Sequence, residues 1–355
     1  MPLLHLKATD FRCFANAEFE ADPHYNLIYG ANASGKTSLL EAVAYLGRGK
    51  SFRGATTQNL IRHGCSELLL LGKIDIGART ATLGVRNSRD GLEVRLDGES
   101  GSGAATLAET LPLLAVDPEV HNLVAGGPDE RRRYLDWIAF HVEHGYLDIW
   151  RRFRRALKQR NAALRDGADS ATIASWDKEF LTTADAVHRV RQQIAEITGA
   201  VLEETGANLL GRQVSLQYRQ GWSEDQSLQE ALAAGLVRDR ELGSTQAGPH
   251  RGDVKLALDD RPAKKIVSRG QQKLLACSLI LTAAELVQSE LERPLLLLLD
   301  DPAAELDSDS LNRLMGSVIG LGCQIMATAL EPDSRLFPEP PALFHVERGV
   351  LRKEA

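Results

Sequence analysis

Short apolar runs dominate the start of the chain and predict strands at Leu4–Ala8, Ala17–Phe19 and Tyr25–Tyr29, the last two parted by Asp22 and Pro23. The period then lengthens: Leu39, Leu40, Val43 and Leu46 recur at helical spacing over Ser38–Leu46. A glycine-containing stretch divides the two patterns, so the local order is strand, loop, helix. Further on, Leu68–Ile76, Thr80–Arg86 and Leu92–Leu96 read as an antiparallel meander, and Gly98–Ala105 as a loop or linker.

From residue 118 the period is helical. One helix is expected from about Asp129 to Gly145. A second carries Leu147, Trp150, Phe153, Leu157 and Leu164 on one stripe, and a third carries Trp176, Phe180, Ala184, Val187, Ile194, Ile197 and Val201, with Gly206 as its stop. Glycines break these helices, which argues for a helical insertion and against a long coiled coil. Strand patterns return at Val214–Tyr218 and Val254–Leu258. They are followed by a helix over about Gly270–Leu291, a leucine strand at Leu295–Leu299, a helix from about Asp309, and a strand at Gln324–Ala329. The expected fold class is therefore α/β, with a mixed sheet and a meander, interrupted by an all-helical arm. The expected domains are residues 1–117, 118–212 (the arm) and 213–355.

Gly30-Ala31-Asn32-Ala33-Ser34-Gly35-Lys36-Thr37, with Ser38 after it, fits the phosphate-binding pattern G-x-x-x-x-G-K-[ST] between a strand and a helix. Glycines let backbone N–H groups close on phosphate oxygens, and the helix that follows turns its positive end to the same charge. Lys36 would reach the β- and γ-phosphates of ATP, and Thr37 would hold Mg²⁺. Asp300 and Asp301 close the leucine strand, where such a site needs an acid. Asp300 is expected to hold Mg²⁺, and Asp301 to orient or deprotonate the attacking water.

Composition is that of an ordinary globular chain, and its longest apolar run is far too short to span a membrane, so no membrane association is expected. Four scattered cysteines match no zinc spacing, and reduced thiols in a cytoplasmic protein are expected. A net charge of −6 means that any nucleic-acid binding needs a local basic patch. Residues 131–160 supply one, with nine Arg or Lys against three acids. Arg151, Arg152, Arg154, Arg155 and Lys158 flank one helical stripe and are candidates for DNA phosphate contacts; a solvated face paired with acids is the alternative.

Ser268-Arg269-Gly270-Gln271 at a helix start, about thirty residues before Asp300, is similar to the signature of ABC-type ATPases. There, serine and helix-end N–H groups face the γ-phosphate held by a partner copy. Glu305-Leu306-Asp307 resembles the D-loop of those enzymes. Asn32, the opening Asp10-Phe11-Arg12-Cys13-Phe14, and Thr328 in a region where transport ATPases carry a histidine look like the SMC/RecF branch. Gly126–Asp136, Gly248–Asp253 and the Asp300-Asp301 pair resemble the RecF family in particular, over essentially the whole chain. That resemblance implies a weak ATPase that dimerises with ATP and binds duplex, single-stranded or gapped DNA. It also implies action with RecR and RecO in loading RecA during recombinational repair. A transporter subunit, another SMC-like ATPase and a P-loop kinase are the competing functions. The glutamine that ABC-type ATPases use to sense the metal has no evident counterpart, although Asp117, Pro118 and Glu119 occupy its region. Arg12 is either a phosphate contact or an exposed loop residue. His250 and Arg251 read as a structural turn, with nucleotide or DNA contact as the lesser alternative.

Overall fold

A computed structural model of the chain describes residues 2–77, 79–333 and 336–354. Two compact units emerge from its packing, Met1–Val120 with Glu292–Ala355, and His121–Leu291. In chain order the first unit holds β1 (Leu3–Phe11), β2 (Phe14–Glu20), β3 (Tyr25–Tyr29), α1 (Lys36–Arg48), α2 (Thr57–Leu60), β4 (Glu67–Asp75), β5 (Thr80–Ser88), β6 (Gly91–Leu96), β7 (Glu99–Ser100), α3 (Ala104–Thr110) and β8 (Leu113–Val116). The second unit holds α4 (Asn122–Ala125), α5 (Pro128–Val142), α6 (Tyr146–Arg165), α7 (Ser170–Leu210), β9 (Val214–Arg219), α8 (Leu228–Leu242), β10 (Asp253–Leu258), β11 (Arg261–Pro262), α9 (Ala263–Ile266) and α10 (Arg269–Leu291). The chain then completes the first unit with β12 (Leu296–Leu299), α11 (Ser308–Gly320), β13 (Gln324–Ala329), β14 (Ala342–Glu347) and β15 (Val350–Lys353).

In the first unit, one sheet has the order β15-β14-β3-β13-β12-β8, and its members from β14 to β8 run parallel. Every residue of β12 is buried, as an unalternated leucine run requires when both faces of a parallel sheet are covered. The other sheet, β2-β1-β4-β5-β6-β7, is antiparallel throughout, and β4 and β5 bury alternate residues, so the expected meander is present. Helix α1 shares one core with residues of both sheets, which is why Leu39 through Gly47 are all buried. Close approach to β4 depends on Gly72, where a Cβ would lie 2.3 Å from Leu46 Cδ2. The pattern gave no signal for β8, β14 and β15. β8 and β14 take their places by pairing with strands distant in sequence, β12 and β3, and β15 forms a hairpin with β14 at the sheet margin. The expected loop at Gly98–Ala105 contains β7 and the first two residues of α3.

The second unit corrects one expectation. Helix α7 runs for 41 residues straight through Gly199 and Gly206 and ends at Gly211, whose φ of 65° and N–H bond to Ala207 O form the stop. Gly206 is small for a packing reason: a Cβ there would lie 2.5 Å from Val214 Cγ2, so β9 could not close on the helix. Packing also continues past residue 212. Strand β9 and helix α10 both lie against α7, and α10 lies against α5, so residues 213–291 group with the helices by contact. Helix α10 is long and apolar enough to cross a membrane by length and composition, yet most of that apolar stretch is core. Helix α8, which hydrophobic spacing left unread, opens on a reciprocal capping box between Ser227 and Glu230, a legible S-x-x-E signal.

Buried arginines brace this unit. Arg160 is 0% exposed and bonds Asp177 (2.8 Å), Asp239 (2.7 Å) and Thr245 Oγ1 (2.8 Å). Arg191 grips Asp136 through two nitrogens (2.7 and 2.9 Å) and donates to Pro249 O.

Gly206→Val is expected to lower unfolding stability by about 1–3 kcal/mol through overpacking against Val214. Gly316→Ala, on an exposed turn of α11 with nothing within 4 Å of the added Cβ, is expected to raise it by about 0.5–1 kcal/mol. Urea midpoints of the two variants against the parent chain check both signs.

Candidate functional site

The loop Gly30–Gly35 leaves β3 at its C-terminal end and enters α1 at Lys36, so the strand–loop–helix order holds. Its path needs glycine twice. Gly30 has φ 151° and would push a Cβ to 2.3 Å from Val346 O, while Gly35 has φ 120° and would meet Cys13 Sγ at 2.9 Å. Ala33 also takes a left-handed conformation, at φ 61°. Ser34 Oγ is buried with no hydrogen-bond partner among the described residues, an orphan that a phosphate oxygen could satisfy. Ala31 and Asn32 are exposed on the same loop, and Ser38 follows in the first turn of α1. Lys36 Nζ folds over the loop and donates to Gly30 O (2.6 Å) and Ala31 O (2.9 Å).

The parallel strands deliver their carboxyl ends to this loop, which is where open α/β sheets form sites. Asp300, just past β12 and 5% exposed, accepts at Oδ1 from Thr37 Oγ1 (2.9 Å) and from Thr328 Oγ1 (2.8 Å). The N–H of Asp301 donates to the same Thr328 hydroxyl (2.9 Å), while Asp301 itself is exposed at φ 52°. Thr328 thus positions both acids. Sequence reading noticed it only for the histidine it replaces, and no local pattern marks it. Burial lowers the Lys36 ammonium from its ordinary value, and the charges of Asp301 and Asp300 pull the other way. Asp117, left unassigned in sequence, follows β8, the strand beside β12. Burial pushes its carboxyl up to about 6, with the Asp300 charge adding to the rise and Arg48 opposing it. The structure thus places Gly30–Ser38, Asp300, Asp301, Thr328 and Asp117 around one end of one sheet.

Arg12 is not a free, exposed loop residue. Its guanidinium binds Glu41 of α1 through two nitrogens (2.7 and 2.9 Å) and donates to Asn59 O (2.9 Å). Glu41 is 0% exposed and also receives the Ser51 hydroxyl, so Arg12 is the counter-charge of a carboxylate buried on α1.

In the second unit, Ser268 stands at the start of α10. Its N–H donates to Gln271 Oε1 (3.0 Å), and its hydroxyl receives the Gln271 N–H over a long 3.4 Å. Arg269, Gly270 and Gln271 form the first helical turn. The basic segment 131–160 is less of a patch than its count implied. Arg131 and Arg160 are buried against Asp253 and Asp239, and Arg132 and Arg133 pair within α5. The five α6 candidates are all exposed, but Arg151 lies 3.7 Å from Asp148, Arg152 is paired with Glu179, and Arg154 lies over the Trp150 ring. Arg155 and Lys158 are exposed on the same helix. His250 sits in a helical turn over Pro249–Arg251, with its Nε2 at 2.8 Å from Thr245 O and its ring beside Phe180, as a structural role requires. Burial lowers its imidazole to about 4.

Residues 2–336 match the RecF/RecN/SMC N-terminal domain family. The chain is 38% identical to a "DNA replication and repair protein RecF" of Pseudomonas paraeruginosa, across 99% of this chain and 97% of the relative. It is 36% identical to a protein of the same name from Shewanella pealeana, across 98% of each. A solved structure described as the recombination mediator protein RecF-ATP in the RecFOR pathway aligns over 100% of this chain and 98% of its own, with TM-score 0.91 at 23% identity. An Smc head domain from Pyrococcus furiosus aligns with TM-score 0.61 at 15% identity, across 99% and 96%. These two likenesses speak to the fold, an ABC-type ATPase head with mixed sheets.

Arg12→Ala is expected to destabilise the chain by on the order of 3 kcal/mol, because it strands the buried Glu41 carboxylate. The double variant Arg12→Ala, Glu41→Gln is expected to recover part of that loss. An unchanged unfolding midpoint in the single variant would return Arg12 to the status of a loop residue.

Proposed function

The chain belongs to the RecF family, and from that premise we propose that it binds ATP in the Gly30–Ser38 loop and serves DNA replication and recombinational repair as an ATP-switched mediator. The observation that carries the reading is the meeting of the Thr37 hydroxyl and the Asp300 carboxylate beside Lys36, at the carboxyl end of the parallel sheet. A hydroxyl and a carboxylate are oxygen donors suited to Mg²⁺, which takes the rest of its shell from phosphate and water. When bound, Mg²⁺ draws charge from the phosphate oxygens.

The chain's own residues do the remainder. Lys36 supplies a fixed cation over the loop, and Ser34 supplies a buried hydroxyl with no other partner among the described residues. Thr328 keeps Asp300 aimed at Thr37 and fixes the backbone of Asp301, whose exposed carboxylate orients or deprotonates water. Hydrolysis is slow and acts as a switch. Ser268, whose hydroxyl makes only a long capping bond, turns with the α10 N-terminus to the nucleotide of a second copy, so that ATP joins a homodimer. Exposed basic residues of α6, Arg151, Arg152, Arg154, Arg155 and Lys158, contribute phosphate contacts to duplex, single-stranded or gapped DNA. The chain acts in the cytoplasm with RecR and RecO, ahead of RecA.

Sizing chromatography with and without ATP tests the switch. Lys36→Met and Ser268→Arg are each expected to abolish ATP-dependent dimerisation. Asp301→Asn is expected to keep ATP binding and to slow hydrolysis by at least about tenfold. Dimers that persist in Ser268→Arg at saturating ATP would remove the trans contact. Reversal of Arg151, Arg152, Arg154 and Arg155 to Glu is expected to weaken DNA binding and flatten its salt dependence, and unchanged affinity would remove α6 from the interface.

A further inference from the structure

A cleft of about 280 Å³ opens in the second unit between β9, β10, α9 and the α4–α5 region. Arg131, Arg219, Lys255 and Lys264 line it, with Asp253 as the single acid. Asp253 is already spent: Arg131 binds both its oxygens, at 2.8 and 3.2 Å, and Arg131 is itself buried at 7% exposure. Arg219 lies opposite Asp253 in the antiparallel register, and Lys255 follows two residues along the same strand as Asp253. The side chains of Arg219 and Lys255 are exposed and make no hydrogen bond or ion pair among the described residues. Lys264, exposed on α9, reaches only Gly126 O, at 3.4 Å. Val124, Val254, Leu256 and Pro262 complete the walls, against which long cationic stems can lie.

Three cations thus converge on one cleft without a counter-charge, whereas Arg151 and Arg152 of α6 already have acids beside them. Like charges gathered this way repel one another, and an anion relieves that repulsion. We infer that this cleft binds the sugar–phosphate backbone of DNA, with Arg219, Lys255 and Lys264 as its phosphate contacts, in addition to the α6 surface. The inference rests on the DNA-binding reading above and deepens it. Phosphate contacts made by point charges confer affinity without sequence preference, so binding here is insensitive to base composition. Lys264 also lies four residues before Ser268, so DNA held in this cleft sits on the segment that leads into α10.

The test is a salt titration of binding to a gapped duplex by the full-length chain, comparing the parent with Arg219→Gln, Lys255→Gln, Lys264→Gln combined. The neutralised variant is expected to lose about tenfold or more in affinity at low salt, and to lower the log–log salt slope by about 2 to 3. ATP binding is expected to remain. The charge-preserving combination Arg219→Lys, Lys255→Arg, Lys264→Arg is expected to keep the parent's slope, which separates charge from folding. A parent that binds DNA together with a neutralised variant of unchanged affinity and slope overturns the cleft alone. A parent that binds no DNA overturns the broader reading and this one with it. Loss of poly-glutamate binding with DNA binding intact makes the cleft a dock for an acidic protein segment, and also overturns the inference.

Discussion

The carboxylate of Asp300 is the constraint on which the candidate site depends. It is almost fully buried, where an uncompensated charge is costly, and the two hydroxyls that donate to it come from α1 and β13. Those hydroxyls reach it only because β3, β13 and β12 are adjacent and parallel, so their carboxyl ends arrive at one level. The sheet order thus decides which side chains meet at this end of the sheet. The geometry of the glycine loop then follows from what stands behind it: Val346 O and Cys13 leave no room for a Cβ at Gly30 or Gly35.

Electrostatics sorts the arginines of this chain into two populations. Arg12, Arg131, Arg160 and Arg191 each satisfy a carboxylate in bidentate or networked geometry, and at least one member of each pair is buried. Such pairs are poor additions to net stability but costly to break, and they specify how helices and turns meet. The second population is exposed and only partly paired, and it is the one available to an anionic partner. Counting charges along residues 131–160 merges the two. The distinction decides which surface is open to an anion, because a guanidinium held against a buried acid is fixed in place and cannot swing out to a phosphate.

Much of the site was legible in one dimension. The loop Gly30–Thr37 is contiguous, and its spacing reflects a backbone requirement that any strand–loop–helix of this kind must meet. The leucine run with Asp300 at its end is likewise local, since an unbroken apolar run of that length suits a strand covered on both faces. The meander and α6 announced themselves by period. Thr328 and Asp117 could not. Each does its work beside Asp300, which strand pairing brings from 28 residues away to Thr328 and from the end of β12 to Asp117.

Gly206 shows the same division. A glycine in a helical pattern is locally a stop signal, and only the tertiary contact with Val214 shows that it is a place where β9 must come close. Arg12 had no local clue to Glu41, its partner 29 residues on. What the sequence by itself determined is therefore everything whose cause is a short stretch of backbone: the phosphate loop, the acidic strand end, the helical and strand periods, and the family. Tertiary structure alone decided which distant hydroxyl holds Asp300, which arginines are consumed in buried pairs, and how far α7 runs. The physical reason is that burial and pairing are properties of neighbours in space, and a one-dimensional pattern carries them only when those neighbours are also neighbours in the chain.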